Sequence, residues 1–359
     1  PLFENAIAKN VGSKYAVAFS SWTAGLHAAC VVSGISSEDS VITSPITFVA
    51  SSNSVLYCGA KPIFSDIDNN SINICPEKLE HTIKSNPKVK AIIPVHFAGL
   101  SCDMKKIKIL ADKYNLTIIE DAAHALGARH MDGSKIGSCK FSDMTGFSFH
   151  PVKSIAAGEG GMITTNCKDT YRKLIRFRSH GINKLDDLLF SSKNAYTNKI
   201  KNPWYYEMQE LGYNYRITDI QCALGRSQLK KLSKFIEKRR QLVQVYDKAF
   251  EGLKNITLVQ NEYREISSHH IYVLRINFNK INISRAEFMN RLRDEGIITQ
   301  VHYIPVTSHP YYQRLGFNTN LYPNSLNYYN ECLSIPLYFS LENKDQQKVI
   351  KSIKSLLND

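Results

Sequence analysis

Lys153 lies in Phe147-Ser148-Phe149-His150-Pro151-Val152-Lys153, shortly before Gly158-Glu159-Gly160-Gly161. An apolar, strand-like run from Met144 to Phe149 delivers this lysine. The small residues after it let the backbone pass close to a bulky ring. Upstream, Ile118-Ile119-Glu120-Asp121-Ala122-Ala123-His124 reads as a buried strand ending in a carboxylate. A lysine and a carboxylate delivered in this way suit pyridoxal phosphate (PLP). The amine takes the cofactor's aldehyde, and the Asp keeps the pyridine nitrogen protonated so that the ring acts as an electron sink. Lys153 is therefore the candidate catalytic residue and Asp121 the candidate partner of the ring nitrogen.

Other constellations support that chemistry, and each also has a plain structural reading. Ser20-Ser21-Trp22-Thr23-Ala24-Gly25 stands between a strand and a helix. Its hydroxyls and free N–H groups suit an anion, and together with Ser148 and Lys153 they suit the PLP phosphate; alone, the segment is an N-cap. Phe48, in Pro45-Ile46-Thr47-Phe48-Val49-Ala50, can stack on the pyridine ring or pack in a core. Asp121 can instead cap residues 122–125. His124 either lies beside the ring or is a structural histidine. Asn214 and Arg216, in Gly212-Tyr213-Asn214-Tyr215-Arg216, suit a phosphate contact in either subunit's site. His302 and Tyr303, in Gln300-Val301-His302-Tyr303-Ile304-Pro305, form a substrate wall or an interdomain contact.

The elements that must position these residues alternate in type. Strands are expected at residues 15–19, 41–44, 62–66, 90–96, 116–120, 144–149 and 161–165. Helices are expected at 23–32, 48–56 and 104–114. Such βαβ alternation implies a doubly wound, mainly parallel sheet with helices on both faces. Ligands in these sheets bind beyond the carboxyl ends of strands, where Ser20–Thr23, Asp121 and Ser148–Lys153 all fall. Residues 184–203 read as a polar surface excursion. Ile217 to Phe250 reads as one long helical stretch with apolar spacing at Ile220, Leu224, Leu229, Leu232, Phe235 and Ile236. Beyond it, strands at 270–278 and 297–303 and helices at 284–295 and 343–357 form an α+β pattern. Ser284 and Glu287 there match a capping box. The expected division is a large PLP-binding α/β domain over 1–235 and a small α+β domain over 236–359.

Bulk properties agree with an enzyme of two domains. The 359 residues are 43% hydrophobic and 21% charged, and no apolar run reaches a membrane span. The eight cysteines are scattered without a C-x-x-C, which argues against a zinc ribbon or disulfide framework and for a reducing cytoplasm. No metal site is expected. The 45 Lys plus Arg against 32 Asp plus Glu leave a net charge of +13. That charge either steers an anionic ligand such as a nucleotide diphosphate or reflects a Lys- and Asn-rich coding bias. No basic patch interleaved with aromatics suggests nucleic acid. The chain begins at Pro1 and enters a helix at once, so a preceding segment is expected to be missing.

Over essentially its whole length the chain resembles the DegT/StrS-type nucleotide-sugar aminotransferases, a PLP family of fold type I. T-A-G-L-H (Thr23 to His27), P-I-T-F-V-A (Pro45 to Ala50), E-D-A-A-H-A-L-G (Glu120 to Gly127) and F-S-F-H-P-V-K (Phe147 to Lys153) carry the likeness. So do G-E-G-G (Gly158 to Gly161), F-R-S-H-G (Phe177 to Gly181), Y-N-Y-R-I-T-D-I-Q-x-A-L-G (Tyr213 to Gly225) and V-H-Y-I-P-V (Val301 to Val306). The resemblance implies that Lys153 carries the cofactor, Asp121 meets the ring nitrogen and Phe48 stacks. It also implies that Thr23, Ala24 and Ser148 hold the phosphate, with His124 also at the cofactor. Asn214 would reach the phosphate in the partner subunit's site, making a homodimer obligatory. His302, Tyr303, Arg216 and the Trp22 loop would meet the sugar nucleotide. F-H-P-V-K and V-H-Y-I-P-V point to the branch that aminates C4 of a UDP-4-keto-6-deoxy-HexNAc, a pseudaminic acid precursor, with L-glutamate leaving as 2-oxoglutarate. Other 4-keto sugars (D-configured UDP, GDP or dTDP) and a catalytically idle PLP-binding regulator are the rival readings. Relatives carry an N-terminal helix and a short nucleotide-sugar loop that this sequence lacks. Lysine at 153 separates the chain from the sugar dehydrases of the fold, which carry histidine. Lys153 would serve as tether and as general acid/base, its pKa lowered by burial.

Overall fold

The structure is a computed structural model and describes residues 1–184, 189–190 and 193–358. Helix α1 (Leu2–Val11) leads into strand β1 (Tyr15–Phe19) and helix α2 (Trp22–Val32). There follow β2 (Ser40–Thr43), α3 (Ala50–Tyr57), β3 (Lys61–Phe64), α4 (Pro76–Lys84), β4 (Val89–Ile93), α5 (Met104–Tyr114), β5 (Thr117–Asp121), β6 (Met144–Ser148), β7 (Gly161–Thr165) and α6 (Lys168–Arg178). The seven strands form one sheet in the order β1-β7-β6-β5-β4-β2-β3. Neighbours from β6 to β3 pair in parallel, and β7 runs antiparallel to β1 and β6. Strands covered on both faces carry apolar runs, as Val17–Phe19 in the edge strand β1 and Ile118–Ile119 in the central strand β5 do.

The register explains why distant segments meet. Gly161, the first residue of β7, pairs with both Phe19 and Ser148. The turn after β1 and the turn after β6 therefore open side by side. Asp121 pairs with Gly146, so the carboxylate lies at the same rim. Helix α2 carries no charged residue and is buried nearly all round, with only its N-terminus at that rim.

Beyond α6 come α7 (Asp219–Leu229) and α8 (Leu232–Phe250). The expected single helical stretch is thus two helices, broken at Lys230–Lys231, where the sequence holds neither Gly nor Pro. Tertiary packing, not a local breaker, reorients the chain there. A three-stranded antiparallel sheet of Ile256–Leu258, Tyr272–Ile276 and Cys332–Ile335 follows. Leu242, Val243, Tyr246 and Phe250 of α8 pack on it with Val349, Ile350 and Ile353 of the closing helix Asn343–Asn358. Arg239 of α8 donates to the carbonyls of His269, His270 and Leu337 at 3.1, 2.9 and 2.9 Å. Burial lowers its pKa to about 10.

Two local expectations fail. Residues 297–303 do not form a strand; Gln300 alone bridges to Ser334. Side chains hold this segment instead: His302 Nδ1 meets Ser334 Oγ at 2.8 Å, and Tyr328 donates to the His302 carbonyl at 2.7 Å. Ser284 does cap the helix Arg285–Asp294, but Glu287 pairs with Arg291 rather than closing a capping box. The reciprocal box forms at Thr218 and Gln221, ahead of α7. No described helix is long and apolar enough to cross a membrane.

Candidate active site

A cavity of about 520 Å³ opens at the strand-end rim. Trp22, Thr23, Phe48, Asp121, His124, Ser148, Lys153, His302 and Tyr303 line it. Nine residues singled out in the sequence are thereby brought together from the ends of β1, β5 and β6, the segment before α3 and the 300s. Ala24 is buried in the first turn of α2 and spends its N–H on the Ser21 Oγ cap at 3.1 Å. Asn214 and Arg216 lie elsewhere. Asn214 bridges to Ser179, and Arg216 lines a separate cleft with Arg176, His180 and Lys184. Within one chain these two face no part of the cavity.

Successive residues of a strand point to opposite faces, and β5 uses this to separate two carboxylates. Glu120 faces the buried side, where His96 Nε2 lies 2.6 Å away and Thr145 Oγ1 2.9 Å away. Burial alone would raise its pKa, but the His96 hydrogen bond and charge, with help from His130 and Ser142, hold it at about 2. Asp121 faces the cavity. Trp22 Nε1 donates to its Oδ1 at 2.8 Å, and the Ala123 N–H donates to the same oxygen at 3.2 Å. Ser51 Oγ donates to Oδ2 at 2.7 Å. The backbone is held as tightly, with Asp121 N–H on the Pro94 carbonyl and His96 N–H on the Asp121 carbonyl.

Lys153 follows β6 on a turn closed by its own N–H to the His150 carbonyl at 2.9 Å. Burial lowers the amine's pKa to about 8, against the upward pull of Asp121. Three imidazoles respond to it. His124 and His270 are pushed well below the usual histidine range by burial and then by the Lys153 charge, and His302 is pushed to about 4 by the same causes. His124 Nε2 meets the Tyr303 hydroxyl at 3.0 Å, while its buried Nδ1 has no partner. Burial and then Asp121 raise the Tyr303 phenol above its usual value. Phe48 is 61% exposed, so it is a rim residue rather than a core aromatic.

These residues fit PLP. An ionisable lysine stands near a carboxylate that retains acceptor capacity on Oδ2. A buried imidazole nitrogen awaits a polar partner. The N-terminus of α2, with no acidic side chain in its first turn and the Thr23 hydroxyl at the cavity, suits a phosphate. Among the described residues, no cluster of His, Cys, Asp and Glu could hold a metal ion.

Sequence reasoning missed Ser51, Thr47 and His270. Ser51 and Thr47 share a hydrogen bond of 2.8 Å, and Ser51 reaches Asp121. Their only local signal is a run of small polar residues flanking Phe48. His270 lies behind His124, ring centroids 4.3 Å apart, and nothing local marks it.

The model of the DegT/DnrJ/EryC1/StrS aminotransferase family matches residues 1–354. The chain is 39% identical over 359 residues to the spore coat polysaccharide biosynthesis protein SpsC of Bacillus subtilis, covering 99% of this chain and 88% of that protein. It is 38% identical over 356 residues to the UDP-4-amino-4,6-dideoxy-N-acetyl-beta-L-altrosamine transaminase of Campylobacter jejuni, covering 99% and 89%. The solved structure of Helicobacter pylori PseC, an aminotransferase involved in the biosynthesis of pseudoaminic acid, superposes with a TM-score of 0.87 at 31% identity, over 99% of this chain and 90% of that one. The chain belongs to the DegT/DnrJ/EryC1/StrS aminotransferase family and is a PLP-dependent sugar aminotransferase.

Proposed function

We propose that this family member transfers an amino group from L-glutamate to the C4 keto group of a UDP-4-keto-6-deoxy-HexNAc, within pseudaminic acid or related surface-glycan synthesis. The observation that carries the chemistry is Lys153, lowered to about 8 in the cavity it shares with Asp121. The named activities of the Campylobacter and Helicobacter relatives support the substrate, and the Bacillus relative supports the wider surface-polysaccharide setting.

PLP, when bound, supplies the electron sink that makes an amino-acid Cα–H acidic. The chain's own residues do the rest. Neutral Lys153 Nζ takes the proton from the amino donor's Cα and, in the return half-reaction, delivers one to C4 of the sugar. Asp121 would hold the ring nitrogen, and Phe48 would stack on the ring. Thr23 and Ser148 would hold the phosphate, with Ala24 in the first turn of α2. His124 offers its unpaired Nδ1 to a polar group of the cofactor. Tyr303 and His302 belong to the sugar-nucleotide side; the Trp22 indole is spent on Asp121 instead, and Arg216, which lines a separate cleft of its own chain, would meet a sugar nucleotide only in the partner subunit's site.

The proposal includes a homodimer. Asn214 faces no part of its own cavity, and Ile220 of α7 is 83% exposed, so a second copy would cover this face and receive Asn214 at its phosphate cradle. A division near residue 235 into a PLP-binding domain and a smaller C-terminal domain goes with this reading. The separate hydrophobic clusters below and above that point support it.

The test offers PLP-loaded enzyme and glutamate with UDP-, GDP- and dTDP-linked 4-keto sugars, with product masses as the readout. A 4-amino product from the UDP-HexNAc ketosugar and 2-oxoglutarate in equal amounts are expected. Preference for a GDP or dTDP sugar overturns the substrate. A 4-amino sugar formed only with another amino acid, without 2-oxoglutarate, overturns L-glutamate as the donor.

A further inference from the structure

Asp121 is gripped by more donors than a ring-nitrogen partner needs for position alone. Its two oxygens receive donors from three separate elements: Trp22 at the start of α2, Ser51 in α3, and Ala123 just after β5. The indole reaches it through a gap that the register creates. Gly146 pairs with Asp121 across the β5–β6 ladder, and a Cβ there would lie 1.6 Å from the Trp22 ring. Gly25, one turn on in α2, also makes room for the ring, since a Cβ there would lie 2.8 Å from it. Only glycine at 146 admits an indole whose N–H ends on the carboxylate. A phenyl or leucyl side chain would fill the same gap without a donor.

On the other oxygen the donors are ordered. Ser51 has one hydroxyl proton, and the carboxylate at 2.7 Å is its strongest acceptor. Thr47 must then donate to Ser51 across their 2.8 Å contact. The result is a Thr47–Ser51–Asp121 chain, each bond polarising the next. Oδ1 carries two donors and Oδ2 one, so Oδ2 is the oxygen with capacity left for the cavity.

We propose that Trp22 and Ser51 are positioning residues that fix the Asp121 carboxylate and present its Oδ2 to the pyridine nitrogen of PLP. A carboxylate fixed in this way makes a strong, well-aligned hydrogen bond to the ring N–H, and a protonated ring is the stronger electron sink. Trp22 thus acts on the cofactor through Asp121, which sharpens the general substrate-side place its loop first suggested. The inference rests on Asp121 being the ring-nitrogen partner, as proposed above.

The test uses holoenzyme reconstituted with PLP labelled with ¹⁵N at the ring nitrogen. Trp22→Phe keeps a ring in the gap and removes the donor; Ser51→Ala removes the other. Each is expected to move the ¹⁵N signal from the protonated toward the unprotonated position, and the double variant further still. Each should lower kcat about tenfold with little change in KM, the scale of one hydrogen bond to a charged group. Ser51→Thr, which keeps the hydroxyl, should restore both readouts. Asp121→Asn in the same experiment separates the two claims. If it leaves the nitrogen signal unmoved, the Asp121 assignment fails and this inference with it. If it moves the signal while Trp22→Phe and Ser51→Ala do not, Asp121 stands and the positioning role is overturned. Should Trp22→Phe not fold, Ser51→Ala with its threonine rescue decides the matter alone.

Discussion

Helices α7 and α8 share one run of apolar spacing, and their apolar residues end in opposite places. In α8, Leu232 and Ile236 are buried in the core cluster that also holds Phe3 and Ile7 of α1, and Leu242, Val243 and Tyr246 are buried under the small sheet. In α7, Ile220 and Leu224 face outward, and Gly225 is the one buried residue of the helix. Exposed Trp204, Met208, Leu211 and Tyr213 lie just upstream of α7 in sequence. Apolar periodicity records that a face will be covered, not what covers it. The candidate site divides along the same line. The Asp121 wall is complete within one chain, every donor in place, whereas Asn214 is left outside the cavity it is expected to serve.

The sharpest break would come at the complete wall. Lys153→Ala should lower transamination by about 10⁴-fold, the upper scale of general acid–base catalysis, and borohydride should no longer fix the cofactor to the chain. Full activity in that variant would remove Lys153 from the mechanism. Asp121→Asn is expected to cost about 10² to 10³-fold in kcat, the scale of a lost electrostatic partner, with the melting temperature little changed.

The two helices can be set against each other directly. Ile236→Ala should destabilise the chain by about 2–4 kcal/mol, as large-to-small changes in a packed core do. Ile220→Asp with Leu224→Asp should leave the subunit folded and shift sedimentation from dimer to monomer. A double variant that stays dimeric, or that unfolds like Ile236→Ala, would erase the contrast. The same logic applies to Asn214. Lys153→Ala subunits mixed with Asn214→Ala subunits should regain activity, because each mixed dimer would hold one intact site. No recovery, with subunit exchange demonstrated and both single variants inactive, would falsify the shared-site reading.

The smallest expected effect is a pH profile. In cofactor-free protein the Lys153 amine should acylate with a midpoint near 8 rather than at the 10.5 of an ordinary lysine. Burial disfavours the charged form, so reactivity is present above that midpoint and lost as pH falls through it. Between 8 and 10.5 the unfolded chain holds a proton that the folded chain has released, so this group makes stability rise with pH there. Mass-spectrometric labelling of Lys153 from pH 7 to 11 gives the midpoint; a value near 10.5 means that the amine is solvated.

Much of the site was legible because it sits at strand ends, and strand ends are local. The apolar runs at Ile118–Ile119 and Met144–Phe149 place Asp121 and the Ser148–Lys153 turn at one rim as soon as the sheet is parallel, and nine of the residues so chosen line one cavity. The misses are all non-local. Phe48 leaves ring stacking and core packing equally open, and only the tertiary structure, which exposes it at the cavity, sets the core reading aside. The strand expected at 297–303 has suitable apolar residues, but its backbone pairing is confined to the Gln300–Ser334 bridge, and side chains of Ser334 and Tyr328 hold His302 beyond it. The break at Lys230–Lys231 has no residue that announces it.

Sequence by itself determined the alternation of strands and helices, the lysine and carboxylate at their ends, and the small residues around them. Each follows from periodicity and residue type within a short window. Only the tertiary structure decided that Asp121 would pair with Gly146, that Trp22 would pass through the gap this leaves, and that α7 would leave Ile220 and Leu224 outward while α8 buried its apolar residues. Those outcomes depend on which strands become neighbours and which helix faces find cover, and pairings between residues about a hundred positions apart, such as Trp22 with Asp121, leave no signature in either segment alone.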